Sequence, residues 1–311
     1  MKIRMVSIGM AILMLSACDK VVINYGEGSD VNEWQGEMSE EDGGTWVTCD
    51  IRTGDVGGTR SIVVDGATMT DLWAFDCGAD ECVVVAQQDS EDSEFGRVKL
   101  RLNKGTHTLA FVVSRGDDPE IDEGTGRIVW GKVKDTFWCS KVVEVSGTES
   151  IDLDVTLQRV VGKMSVEFGD VVPDELKKVS AYVDKWLCGL DVRTGEGVGT
   201  LSSTEAEGTE MEVDVPAAYI GRTGLQISLW GFSRKAGFDA NVDFVWRDAA
   251  GATIAEKRCE GVPIWANRVT KISGLMLNSE AAVGFLIIYL SSENISPSAL
   301  AVRRVCLPHI S

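Results

Sequence analysis

Ile151-Asp152-Leu153-Asp154-Val155-Thr156-Leu157 and, a few residues on, Met164-Ser165-Val166-Glu167-Phe168 decide the fold. Both alternate apolar and polar residues strictly, the period of a strand with one wet face. Their phases differ, because the apolar positions are odd in the first and even in the second. A slip of one residue turns every side chain to the opposite face, so the pattern predicts a bulge or crossover over 159–163, where one strand system hands the chain to the next.

Upstream, short apolar and alternating runs predict strands over 46–52, 61–65, 68–76, 82–88, 98–102, 106–114 and 137–145, separated by Gly, Asp, Asn and Ser. Val98-Lys99-Leu100-Arg101-Leu102 is again strictly alternating. Downstream, strands are predicted over 179–183, 211–215, 225–232, 242–247, 253–259 and 268–274, with Pro173-Asp174-Glu175-Leu176 able to open one helical turn. No comparable helical period runs through the chain. Many short strands with turn residues between them predict an all-β sandwich or barrel. A chain of 311 residues is long enough for two domains, expected at 45–159 and 160–277.

Before the first strand, residues 18–44 combine charge and glycine with little apolar content, as in Gly26-Glu27-Gly28-Ser29-Asp30. Such composition does not offset the entropy of ordering, so a flexible tether is expected. Residues 1–17 have Lys2 and Arg4 at a basic start and an apolar run from Met5 to Leu15. That run fits an export signal and is shorter than the roughly 20 residues needed to cross a bilayer. Cys18 follows small residues and precedes Asp19-Lys20. Two readings are open: Cys18 is alkylated by lipid and becomes the new N-terminus, or an ordinary signal is cut after Ala17 and Cys18 enters a disulfide.

The formal charge is −18. Without residues 1–17, which hold Lys2 and Arg4 and no acidic residue, 28 basic and 48 acidic side chains remain, a balance of −20. With no cluster of Lys and Arg to meet a phosphate backbone, nucleic acid is not an expected partner. Acidity of this kind keeps an exported protein soluble. Excluding Cys18, seven of the eight cysteines remain, an odd number that cannot all pair within the chain. Cys77 and Cys82 flank Gly78-Ala79-Asp80-Glu81 and are placed to bridge across a hairpin or to remain two thiols. Cys49, Cys139, Cys188 and Cys259 read as buried small hydrophobes.

Catalysis finds little support. His107 is in phase with Leu109, Phe111 and Val113 and reads as a satisfied strand residue, and His309 stands in the tail. No nucleophile elbow, zinc-binding His pair or phosphate loop occurs, and Gly195-Glu196-Gly197-Val198-Gly199 lacks the spacing of one. The acidic run from Asp117 to Glu123 matches no standard calcium loop and reads as an exposed turn, so no metal and no cofactor are expected. Trp73, Trp130, Trp138, Trp186, Trp230, Trp246 and Trp265 lie mostly in strand patterns, where core packing is the default. Exposed together on one face they would instead make a surface glycan-binding lipoprotein.

Four strings carry a family resemblance: Asp71-Leu72-Trp73-Ala74-Phe75-Asp76, the run from Gly105 to Val113, Val155-Thr156-Leu157-Gln158-Arg159-Val160-Val161-Gly162-Lys163, and Asn267-Arg268-Val269-Thr270-Lys271-Ile272-Ser273-Gly274. Their order and spacing, behind the lipobox, resemble the Bacteroides-type fimbrillin-associated anchor lipoproteins over roughly 46–277. The resemblance implies two tandem transthyretin-like Greek-key β-sandwich domains and attachment to outer-membrane lipid through Cys18. It also implies fimbrillin shaft subunits as partners, joined by strand addition, with host-surface or glycan ligands reached through the assembled fimbria. In shaft-forming relatives a protease removes an N-terminal segment after an arginine. Arg52 and Arg60 are the candidates here, read either as cleavage sites or as solvated arginines flanking strands. Residues 278–311 depart from the family: the apolar run from Ala281 to Leu290 reads as a donor strand, as a tail packed on its own second domain, or as an accidental tail from a shifted reading frame.

Overall fold

In the first half of the chain, alternation sorts the side chains of three strands onto one inner face. In β1 (Thr45–Thr53), Val47, Cys49 and Ile51 are buried, while Trp46 and Arg52 are exposed. In β6 (Arg97–Leu102), Val98, Leu100 and Leu102 point inward, and in β11 (Ile151–Arg159), Val155 and Leu157 do so. The computed structural model describes residues 44–53, 63–64, 67–117, 119–277, 286–291 and 301–304.

These three strands lie in the order β6-β1-β11, with β1 antiparallel to β6 and parallel to β11. Facing them are β4 (Asp71–Cys77), β5 (Cys82–Asp89), β7 (Gly105–Ser114) and β10 (Thr136–Val145), in the order β5-β4-β7-β10. The two layers enclose a core that includes Ile51, Leu72, Leu100, Phe111, Phe137 and Leu157. A short β10–β11 pairing joins them at a corner, and a two-residue hairpin, β2 (Val63–Val64) with β3 (Ala67–Thr68), precedes β4.

Why Leu109-Ala110-Phe111-Val112-Val113 is continuously apolar follows from this layering. Leu109, Phe111 and Val113 face the inner core, whereas Ala110 and Val112 face a second apolar cluster on the outer side. A strand covered on both faces loses the polar half of its alternation.

The second half repeats the strand order. β12 (Val161–Phe168) lies between β17 (Leu225–Phe232), antiparallel, and β20 (Arg268–Gly274), parallel. The facing layer is β16-β13-β18-β19, formed by β16 (Glu207–Asp214), β13 (Lys178–Trp186), β18 (Phe238–Arg247) and β19 (Thr253–Ile264). Thus β6-β1-β11 corresponds to β17-β12-β20, and β5-β4-β7-β10 to β16-β13-β18-β19. In each half the first strand runs parallel to the last long one. The second core holds Phe168 edge-on to Phe244 and to Trp246.

Val160 is the single residue between β11 and β12. It joins the two strand systems where the phase changes. The 173–176 stretch forms a turn closed by Leu176 N–H donating to Pro173 O at 3.1 Å, without a helix. The described residues contain one 3-10 turn, Ala217–Tyr219, and no α-helix.

A small sheet stitches the halves together. β8 (Glu120–Asp122) and β9 (Arg127–Val129) come from the first half, and β14 (Gly189–Asp191) and β15 (Gly197–Val198) from the second, in the order β15-β14-β9-β8. Beneath it Trp130 stacks on Phe232 at 5.0 Å and meets Trp73 edge-on at 6.4 Å. Trp138 Nε1 donates to Val192 O at 2.8 Å. At the crossover, buried Asp135 accepts from Arg159 Nε at 2.8 Å and Nη2 at 3.1 Å, and the guanidinium lies over the Phe137 ring.

Candidate assembly site

A protein that assembles by strand addition must offer a slot or an edge, so the strand borders are the groups to weigh. β1 is laddered on both sides. It exchanges a seven-residue register with β11, Val47↔Ile151 to Thr53↔Leu157, and a six-residue register with β6, Thr45↔Leu102 to Asp50↔Arg97. Removing it would leave an open slot between two strands, floored by the apolar core. Burial, with the Asp50 carboxylate nearby, pushes the Cys49 thiol in this slot up to about 12, so it behaves as a neutral apolar filler.

Arg52 is the penultimate residue of β1, opposite Thr156, and its guanidinium approaches Asp154 at 3.3 Å. Its backbone is held in the ladder, and a cut after it would detach all of β1 except Thr53. Cys18, the signal, Arg60, His309 and the tether up to residue 43 lie outside the described residues. Of the tail, β21 (Leu286–Ser291) pairs antiparallel with β20, Arg268↔Ser291 to Ser273↔Leu286, and β22 (Ala301–Arg304) pairs with β21. Of the segment read from sequence as a donor strand, the described part, 286–290, is therefore seated on the chain's own second half. Asp170 anchors its approach by accepting the N–H groups of Met276 and Leu277.

The remaining borders differ in their protection. β5 is capped by Glu123, whose carbonyl accepts Cys82 N–H and whose Oε1 accepts Val84 N–H, both at 2.8 Å. Gln88 ties β5 to β6 by donating to Arg97 O at 2.9 Å and accepting Gly96 N–H at 3.0 Å. Neither Glu123 nor Gln88 carries a sequence signal, since each acts across a border that only the folded topology creates. Cys77 and Cys82 close the β4–β5 hairpin as a disulfide, Cα atoms 4.0 Å apart. Cys49 and Cys259 are buried, whereas Cys139 and Cys188 are half-buried.

His107 sits beside this hairpin. Nδ1 is 2.6 Å from Asp76 Oδ2, and Nε2 is 2.9 Å from the Asn103 carbonyl. Burial opposes charging the ring, but the two hydrogen bonds and the Asp76 charge outweigh it, so the pKa is raised. Both ring nitrogens face acceptors, which favours the imidazolium and gives the ring a structural task.

Trp73, Trp130, Trp186 and Trp246 are buried, and Trp138 and Trp230 are half-buried. Trp46 is 42% exposed on β1 and Trp265 is 39% exposed in the β19–β20 turn. These two lie in different halves. Among the described residues no group of three or more His, Cys, Asp or Glu side chains is arranged to hold a metal ion.

A sequence profile of a family of unknown function (DUF6562) matches residues 130–296, just over half of the chain. The chain belongs to this family. No protein of curated function matches the sequence. Among solved structures, a candidate polysaccharide-binding protein (DUF1812) from Bacteroides thetaiotaomicron is 9% identical with a TM-score of 0.50, covering 84% of this chain and 98% of that one. The fimbrial anchor protein Mfa2 from Porphyromonas gingivalis is 11% identical with a TM-score of 0.49, covering 79% and 97%. A fimbrial assembly protein from Parabacteroides distasonis is 11% identical with a TM-score of 0.41, covering 84% and 98%. The structures this chain is similar to thus include fimbrial anchor and assembly proteins of Bacteroidetes.

Proposed function

We propose that the chain is a lipid-anchored structural protein of surface fimbriae. Cys18 carries the lipid, residues 18–44 tether it, and two sandwich domains hold or initiate the shaft at the outer membrane by strand addition, with shaft fimbrillins as partners. Host-surface or glycan ligands are met through the assembled fimbria, and the protein itself catalyses nothing.

The observation that carries this reading is the placement of β1. The chain enters the fold through a strand laddered on both sides, so tension arriving from the N-terminus is resisted along two registers at once, those with β11 and β6. An edge strand would resist through one. An anchor needs such an attachment, and it needs β1 to stay. The competing reading, a shaft or accessory subunit cut after Arg52 or Arg60, uses the same slot in the opposite sense: β1 leaves and a neighbour's strand enters.

Replacing Cys18 by alanine tests the anchor. Metabolic labelling with an alkyne fatty acid is expected to mark the native protein in the membrane fraction, and the Cys18→Ala protein is expected to lose both label and membrane association. An unlabelled native protein that remains on the membrane would overturn the lipid reading.

A further inference from the structure

Two sheet edges carry opposite rows of charge. β6 ends the first-half layer and points Arg97, Lys99 and Arg101 to the outer face. β16 ends a second-half layer and points Glu210, Glu212 and Asp214 outward, with Glu207 at its start. Two other borders lack such a row: β17 has no charged side chain, and β19 mixes Glu256, Arg258 and Glu260. A like-charged row blocks an edge from pairing with its own kind. Here the two rows also match each other.

The backbone agrees. Ile51 N–H donates to Gly96 O, so by alternation the even residues of β6 face β1 and the peptide groups of Lys99 and Arg101 face outward. Val215 N–H donates to Lys177 O, so the odd residues of β16 face β13 and those of Glu210 and Glu212 face outward. Arg97 is already engaged, its N–H on Glu94 O and its carbonyl by Gln88, and its guanidinium is 3.7 Å from Asp50. Lys99 and Arg101 form no ion pair among the described residues. Glu210 approaches Arg247 and Glu212 approaches Lys178, which leaves the three-acid row of β16 with an excess of negative charge.

We propose that β6 of one copy pairs antiparallel with β16 of a second copy of this chain, placing Lys99 opposite Glu212 and Arg101 opposite Glu210. Both pairs are of the hydrogen-bonded kind, and their side chains share the outer face of one continuous sheet whose two cores lie on the same side. Because the two edges belong to different halves, the contact is heterologous and repeats head to tail instead of closing a symmetric dimer. It is a short contact carried by exposed charge, so it is weak and screened by salt over about 8 Å at physiological ionic strength. It stands independently of the lipid and of the fimbrial role.

Cysteine trapping tests it. The full mature chain is prepared as Lys99→Cys and as Glu212→Cys, since directly opposed residues of an antiparallel pair lie within disulfide reach. Mixing the two under mild oxidation at 50 mM NaCl is expected to give a cross-linked dimer at least tenfold above either variant alone, falling at 500 mM NaCl because the Arg101–Glu210 pair remains to be screened. Trapping no greater than in the single variants, or unchanged by salt, would overturn the pairing. As a check that needs no new thiol, Arg101→Glu is expected to lower self-association in sedimentation velocity, and adding Glu210→Arg to restore it. Failure of the double variant to recover, with its circular dichroism unchanged, would also overturn it.

Discussion

Trp130 should be the most costly single side chain at the seam between the halves. It is 1% exposed, stacked on Phe232 at 5.0 Å and edge-on to Trp73 at 6.4 Å, within a cluster drawn from both strand systems. Trp130→Ala removes a fully buried ring and leaves a cavity that rigid strands on both sides cannot close, a loss of about 3–5 kcal/mol. Such a loss is a large share of the roughly 5–15 kcal/mol that holds a domain folded. Trp130→Phe provides the internal control. Trp130 Nε1 is buried without an acceptor among the described residues, and freeing such a group from burial recovers about 1–3 kcal/mol. The phenyl ring keeps the contact with Phe232, so lost volume and recovered desolvation nearly cancel, to within about 1.5 kcal/mol. Urea unfolding followed by both far-ultraviolet circular dichroism and tryptophan fluorescence reads the difference, and in Trp130→Ala the two probes should separate as the halves uncouple. A loss below about 1 kcal/mol for alanine, or one no larger than for phenylalanine, would refute the seam argument. Gly116 belongs to the same test, because a Cβ there would meet the Trp130 ring at 2.5 Å.

Other predictions follow from local geometry. Arg159→Ala removes the two hydrogen bonds that Arg159 donates to the buried Asp135 carboxylate and should cost up to about 3–5 kcal/mol by denaturant melts, whereas Arg159→Met with Asp135→Leu should cost clearly less. Since the folded pKa of His107 is raised, its contribution is full below the unfolded pKa of about 6.5 and is lost as pH climbs through the folded value. The stability gap between the native protein and His107→Ala should therefore shrink as pH rises from 6 to 9. A nuclear magnetic resonance titration midpoint for His107 at or below about 6.5 would contradict that sign. Replacing Cys77 and Cys82 by alanine should cost about 2 kcal/mol, the chain-entropy value for so short a loop, since only five positions separate the cysteines.

The strand pattern was legible wherever a strand has one wet face. β17 and β20 were predicted with the bounds observed, and the phase change between odd and even positions located Val160 to within the predicted 159–163. Strands of two or three residues, β8, β9, β14 and β15, left no period to read, so the sheet that stitches the halves was not anticipated. The repetition of one strand order in both halves was equally hidden, because the order is fixed by long-range pairing, which no local period records. For the assembly site, alternation showed that β1 would be a strand, but its position between β11 and β6 depends on partners about 50 and 100 residues away in the sequence. The charge rows of β6 and β16 were visible as residues, and only the topology shows that both strands are borders.

The central claim is that β1 remains joined to a lipidated N-terminus. Mass spectrometry on the protein drawn from native membranes in mild detergent reads its first residue and its co-purifying chains together. A diacylated or triacylated Cys18 peptide, continuous sequence through Arg52 and Arg60, and a fimbrillin-like shaft protein in the same sample are the predicted result. An N-terminus after Arg52 or Arg60 would contradict the anchor and make the chain a shaft or accessory subunit. An intact lipoprotein accompanied only by glycan-uptake components would contradict the fimbrial role.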